Sequence, residues 1–285
     1  MLHTALSPDA INRLPTPKGV ALALAQACRR EDVRLDEIAG LVRTDPALSG
    51  RLLALANAAA LGGRSITSSD EAVARMGLLR VSQLALAFSL IDQHGAGACA
   101  NFNYAGFWNR SLLMAAAASV LGAQGKIGPA DELFTVGLLS QIGQLALATS
   151  FPQEYSNLMA LDIARADLLR REKAITRTDH LELSVALMEH WGIPIDYARP
   201  FGLYEMAEGS PLNANPELEN RARLAHTAWQ VALALSGEGA RAALEQPECS
   251  AALQWLQLTP EALDTHLQAI ESQWRVWLQL IARHS

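Results

Sequence analysis

LPTPKGVALALAQACRREDVRLDEIAGLVRTDPALSGRLLALANAAALG, residues 14–62, carries the punctuation of three successive helices and of no strand. Pro17 can open the first, because a proline in a first turn gives up an N–H that would have no partner there, and GVALALAQACRR continues it to about Arg30. Leu35, Ile38, Ala39 and Val42 are spaced as the apolar stripe of a short second helix that ends near Arg43. Asp45 and then Pro46 form a cap followed by a first-turn proline. PALSGRLLALANAAAL is therefore predicted to be a third helix, closed by Gly62 and Gly63.

The same grammar runs outward. Ser68 and Glu71 have capping-box spacing and open a helix that Gly77 can stop, and the strongly apolar helix LLRVSQLALAFSLI follows. HGAGACANFN, residues 94–103, is small, glycine-bearing and aperiodic, which makes it a loop and the boundary between two lobes. Beyond it, AGFWNRSLLMAAAASVLGA (105–123), PADELFTVGLLSQIGQLALAT (129–149) and PQEYSNLMALDIARADLLRRE (152–172) each read as a helix. Asp179 and Glu182 repeat the capping-box spacing ahead of LELSVALMEHW, with Gly192 and Pro194 as its stop. EGSPLNANPELE reads as a loop before a helix through RARLAHTAWQVALAL. Thr259-Pro260 starts a last long helix whose Trp274 and Trp277, at i and i+3, one face would bury. No run of alternating β-branched residues flanked by turn signals occurs, so the fold class is all-α.

Half of the 285 residues are hydrophobic, enough to bury a substantial core without staples. Cys28, Cys99 and Cys249 are odd in number and far apart, which indicates neither a disulfide framework nor a zinc site. MLHTALSPDAINRLP lacks the basic and apolar parts of a signal peptide, so a cytoplasmic protein with no membrane partner is expected. The net charge of −6 argues against broad phosphate-backbone binding, and the acidity is concentrated late: residues 105–285 hold 13 Lys and Arg against 20 Asp and Glu. Short helices within 36–61 imitate a helix-turn-helix, but ALSGRLLALANA has one arginine and few base-reading side chains, so no nucleic-acid partner is expected. Asn57, near a helix end, reads as a residue that holds backbone or a neighbouring loop. Arg43, Arg51, Arg64, Arg75 and Arg80 read as solvated helix faces before they read as an anion patch. GxSxG, HExxH, GxxxxGK[ST] and strand-borne GxGxxG motifs are all absent.

Three stretches together resemble the HDOD family, a helical signalling relative of the HD phosphohydrolases. Residues 14–62 are similar to its opening, with a Leu-Pro start and an Asp-Pro-Ala-Leu turn feeding a helix that ends in Ala-Asn. ITSSDEAVARMGLLRVSQLALAFSL matches its Ile-x-Ser-x-x-Glu-Ala-Val segment. FWNRSLLMAAAASVLGA, LFTVGLLSQIGQLAL and HLELSVALMEHWGIP resemble the hydrolase-related part. The resemblance implies a multi-helix HDOD domain over residues 11–235, with an N-terminal lobe at about 11–93 packed on a degenerate HD-type lobe at 104–235. A helical extension, 236–285, would pack on the second lobe.

It also implies a lost metal site. Where relatives that keep the His-Asp pair read Leu-Leu-His-Asp-Ile-Gly, this chain has Ser140 and Gln141, and the earlier ligand histidine aligns with Arg110. A hydroxyl and an amide carry no charge to compensate a divalent ion, and a guanidinium offers no lone pair. His180 matches a family histidine, and His226 falls near a place where an acid or asparagine is expected. Leu203 and Tyr204, followed by Glu205, stand where paired histidines are expected. The resemblance therefore points to no enzyme, no cofactor and no catalytic or metal-binding residue. It points instead to a bacterial regulator acting through a protein partner in trans, a response regulator or a cyclic-di-GMP signalling protein. The alternative is a remnant pocket around Arg110, Ser140, Gln141, His180, Leu203, Tyr204 and His226 that binds a nucleotide or other small anionic ligand. An active metal-dependent phosphohydrolase is the third reading.

Overall fold

The computed structural model describes residues 14–15, 18–28, 30, 32–58, 65–161, 163, 165–204, 215–237, 244 and 247–282, and every regular element among them is an α-helix. The chain divides into two units. One comprises Thr16–Gln93 with Gln279–Ser285, and the other Met1–Pro15 with His94–Leu278.

The smaller unit holds α1 (Gly19–Ala27), α2 (Leu35–Arg43), α3 (Pro46–Ala58), α4 (Ser69–Met76) and α5 (Leu78–Gln93). The caps read from the sequence are in place: Asp45 Oδ1 accepts from Leu48 N–H at 3.0 Å, and Ser68 Oγ accepts from Glu71 N–H at 3.2 Å. Gly77, with φ of +84°, sits in the left-handed region that favours glycine, and α5 leaves α4 there at a bend of 110°. One expectation changes. α1 stops at Ala27 instead of running to Arg30, whose guanidinium turns away to Asp32 and to Glu37. Pro17 and the glycines at 62 and 63 lie outside the described residues. Asn57 does hold a neighbouring loop, donating to Ile66 O at 2.9 Å and accepting from Ile66 N–H at 2.7 Å. Of the scattered arginines, Arg43 pairs with Asp70, and Arg51, only 3% exposed, grips Asp92 through both terminal nitrogens while lying 4.7 Å over the Phe88 ring. Arg64 lies outside the described residues.

The larger unit is built on α6 (Tyr104–Gln124), whose residues 111–119 are all buried, packed between α7 (Ala130–Leu139) and α13 (Pro216–Ser236). A Cβ on Gly137 would stand 2.9 Å from the Ala115 backbone, so the missing side chain lets α7 close on α6. Then come α8 (Ile142–Ser150), α9 (Pro152–Met159), α10 (Arg165–Thr176), α11 (His180–His190) and α12 (Ile195–Gly202), with α14 (Pro247–Gln254) and α15 (Pro260–Ala282) after α13.

Here too the sequence reading is corrected. Residues 129–149 form two helices that break at Ser140–Gln141, and 152–172 form α9 and the start of α10 with a break after Met159. α13 begins at Pro216, inside the expected loop, because Asn215 caps it by accepting from Glu217 N–H at 2.9 Å. Residues 130–150 are long and apolar enough to cross a membrane, but 94% of an 18-residue apolar run within them is buried inside the protein as core. The C-terminal tryptophans have specific seats: Trp274 Nε1–H donates to Asn109 Oδ1 at 3.0 Å, and Trp277 stacks on Phe134 with centroids 4.6 Å apart.

Candidate functional site

The break between α7 and α8 falls at the two positions of the missing His-Asp pair. Ser140, fully buried as the C-cap of α7, donates its hydroxyl to Gly137 O at 2.8 Å, and the same oxygen stands 2.9 Å from the Met114 sulfur. Gln141 turns the other way. Its amide Nε2–H donates to the Tyr204 hydroxyl at 2.6 Å, and its Oε1 accepts from Gln144 Nε2–H at 2.9 Å. Gln141 and Tyr204 are 2% and 1% exposed, so this is a buried, hydrogen-bonded chain of neutral side chains. Tyr204 in turn lies 6.0 Å from the Trp229 ring of α13.

His180, fully buried at the first turn of α11, belongs to a separate cluster. Its Nδ1 lies 2.6 Å from Glu172 Oε2, its backbone N–H donates to that same oxygen at 3.0 Å, and Tyr155 OH donates to Glu172 Oε1 at 3.0 Å. With the carboxylate already accepting the backbone and tyrosine bonds, the consistent arrangement puts a hydrogen on Nδ1 as third donor. Glu172 thereby also places negative charge at the N-terminus of α11, where free N–H groups favour it. Asp179 is the formal cap, accepting from Glu182 N–H at 2.8 Å. Outside it, Lys173 bridges Glu182 and Asp179 at 2.8 and 3.0 Å, and these carboxylates, Glu182 foremost, hold its ammonium above the ordinary lysine range.

Backbone approach couples α8 to α11. A Cβ on Gly143 would fall 2.0 Å from the His180 carbonyl oxygen, so only glycine fits there. Gly143 N–H donates to Ser184 Oγ at 2.9 Å, and that hydroxyl donates to His180 O at 2.7 Å. Among the remaining positions, Arg110 is half-buried on α6, next to the Asn109 that receives Trp274. His226 is half-buried on the neighbouring α13, Leu203 half-buried at the end of α12, and Glu205 outside the described residues.

The described residues at these positions do not fit a divalent metal. Ser140 and Gln141 offer only neutral oxygens already engaged in hydrogen bonds, and of the buried carboxylates Glu172 is spent on three donors and Asp179 on Glu182 N–H and Lys173. Among the described residues, no three His, Cys, Asp or Glu side chains are grouped to hold a cation. Such an ion needs lone pairs with compensating negative charge, and no reaction step follows through one here.

Sequence reasoning missed Tyr155, Glu172, Gln144 and Met114. A faint signal existed for Glu172. Leu168, Glu172 and Thr176 fall at i, i+4 and i+8 and so share a helix face, yet within Arg-Arg-Glu-Lys the glutamate looks like one more solvated charge.

The sequence profile of the HDOD domain matches residues 14–204. MmoQ, a response regulator from Methylococcus capsulatus strain Bath, is 34% identical in sequence to this chain. Its crystal structure aligns with 90% of this chain and 99% of its own, at a TM-score of 0.57. An HDOD domain protein of unknown function from Geobacter sulfurreducens shares the fold at 20% identity, covering 99% and 97% of the two chains with a TM-score of 0.63. So does a candidate phosphohydrolase from Shewanella amazonensis SB2B, at 20% identity, 95% and 98% coverage and a TM-score of 0.65. No curated protein matches the chain. On the profile match, which spans well over half its length, and on the 34% identical relative, the chain belongs to the HDOD domain family.

Proposed function

We propose that this protein is a non-enzymatic signalling adaptor that works by binding another protein. The observation that carries the reading is the Ser140–Gln141 break. Where a hydrolase of this architecture keeps two metal ligands, the chain has a hydroxyl spent on Gly137 O and an amide spent on Tyr204 and Gln144. Neutral groups engaged in hydrogen bonds neither acidify a water nor stabilise the charge that develops on a transferring phosphoryl group. The larger unit then acts as a packed scaffold that presents its surface. The name of the 34% identical relative, a response regulator, supports a link to two-component signalling.

The test has two arms. Untagged protein incubated with Mn²⁺ and phosphomonoester or cyclic-dinucleotide substrates releases no phosphate, and affinity capture from the native cell recovers a specific protein whose direct binding is then measured with both components purified. Phosphate release above the blank, or stoichiometric iron, manganese or zinc in the purified protein, would overturn the proposal.

A further inference from the structure

Helices α9 and α10 leave an open groove of about 530 Å³ between them on the larger unit. Leu158, Leu161, Ala174 and Ile175 line it, and Leu161 and Ile175, each 45% exposed, share this one surface. One charge stands on each wall: Glu154 on α9 and Arg171 on α10. Both are exposed, and neither forms an ion pair among the described residues. Beneath the groove the same two helices are joined by the buried bond from Tyr155 OH to Glu172, so its walls are held in place before anything enters.

We propose that this groove is a contact between two copies of this chain related by a two-fold axis. In a two-fold contact the same patch meets itself, so that residue i faces j and j faces i. An apolar strip with one anion on one wall and one cation on the other satisfies that rule unaided: Arg171 of each copy meets the partner's Glu154, while Leu161 and Ile175 of both copies leave water together. An unrelated protein would need an independently matched pattern of charge and apolar surface. The chain's net charge of −6 does not forbid the contact. Arg170 is paired with Asp167 and Lys173 with Asp179 and Glu182, so these cations add little net charge beside Arg171, and more distant charges are screened within about 8 Å at physiological ionic strength. The groove is small beside a permanent interface, so association is weak and concentration-dependent.

Sedimentation equilibrium of the full chain, from low to high micromolar concentration, tests this without reference to any signalling partner. The expected result is a reversible monomer–dimer equilibrium. R171E and E154R each weaken it about tenfold, since two symmetry-related pairs turn repulsive at once. Combining R171E with E154R restores dimerisation, and I175D abolishes it. All three positions are exposed, and circular dichroism of each variant confirms that the fold is intact. A chain that stays monomeric throughout the range overturns the inference, as does a dimer indifferent to I175D or not rescued by the double charge swap.

Discussion

Removing the Glu172 carboxylate is the sharpest probe of how this fold is held. Glu172→Ala leaves the Tyr155 hydroxyl, the His180 backbone N–H and the His180 ring N–H facing the space of the lost acceptor, all at positions no more than 2% exposed. Each hydrogen bond to a charged group contributes about 1.5–3 kcal/mol, and an unmet buried donor retains its desolvation cost. The three are not additive, because the space vacated by the side chain admits water to some of them, so a loss of about 3–5 kcal/mol is expected. Glu172→Gln is the control. Its amide oxygen keeps both His180 bonds while its NH₂ faces the Tyr155 hydroxyl, which rotates to accept, so the cost falls to about 1–2 kcal/mol.

Urea unfolding followed by tryptophan fluorescence suits the measurement, because all six tryptophans lie between residues 108 and 277 and report on the larger unit alone. If Glu172→Ala costs under about 1 kcal/mol, or Gln costs as much as Ala, then the carboxylate is not the shared acceptor and the cluster has been misread.

Gly143→Ala, whose Cβ would overlap the His180 carbonyl, must push α8 from α11 and is expected to cost about 3 kcal/mol or more in the same assay; an alanine variant as stable as the parent would refute that close approach. Asn57→Ala loses both bonds to Ile66 in the smaller unit and is expected to cost about 1–2 kcal/mol, read by thermal unfolding in far-ultraviolet circular dichroism. Burial pushes the Cys249 thiol from the ordinary 9 up to about 11. The native state therefore holds that proton more tightly than the unfolded chain. This thiol's contribution to stability is full below pH 9 and is lost as pH rises from about 9 to 11, and native Cys249 resists iodoacetamide at pH 8. Alkylation of Cys249 at the rate of a free thiol, measured by peptide mass spectrometry, would contradict it.

Local chemistry is what the sequence determines by itself. Caps such as Asp45, Ser68 and Asp179 act on N–H groups within three residues, and Gly77 acts through its own φ, so the helical class and most helix starts are written in short windows. Asn57 was legible for the same reason, since Ile66 lies only nine residues away. The identity of Ser140 and Gln141 as neutral side chains could also be read, but not what the two side chains bond to. Their partners Met114 and Tyr204 come from 26 and 63 residues away, and the bonds to them are made at the break between α7 and α8. Glu172 shows the limit most clearly: a glutamate between an arginine and a lysine is a surface charge by every local rule. Only tertiary packing turns it inward, because Tyr155 and His180, brought from flanking helices, supply the donors that offset its desolvation.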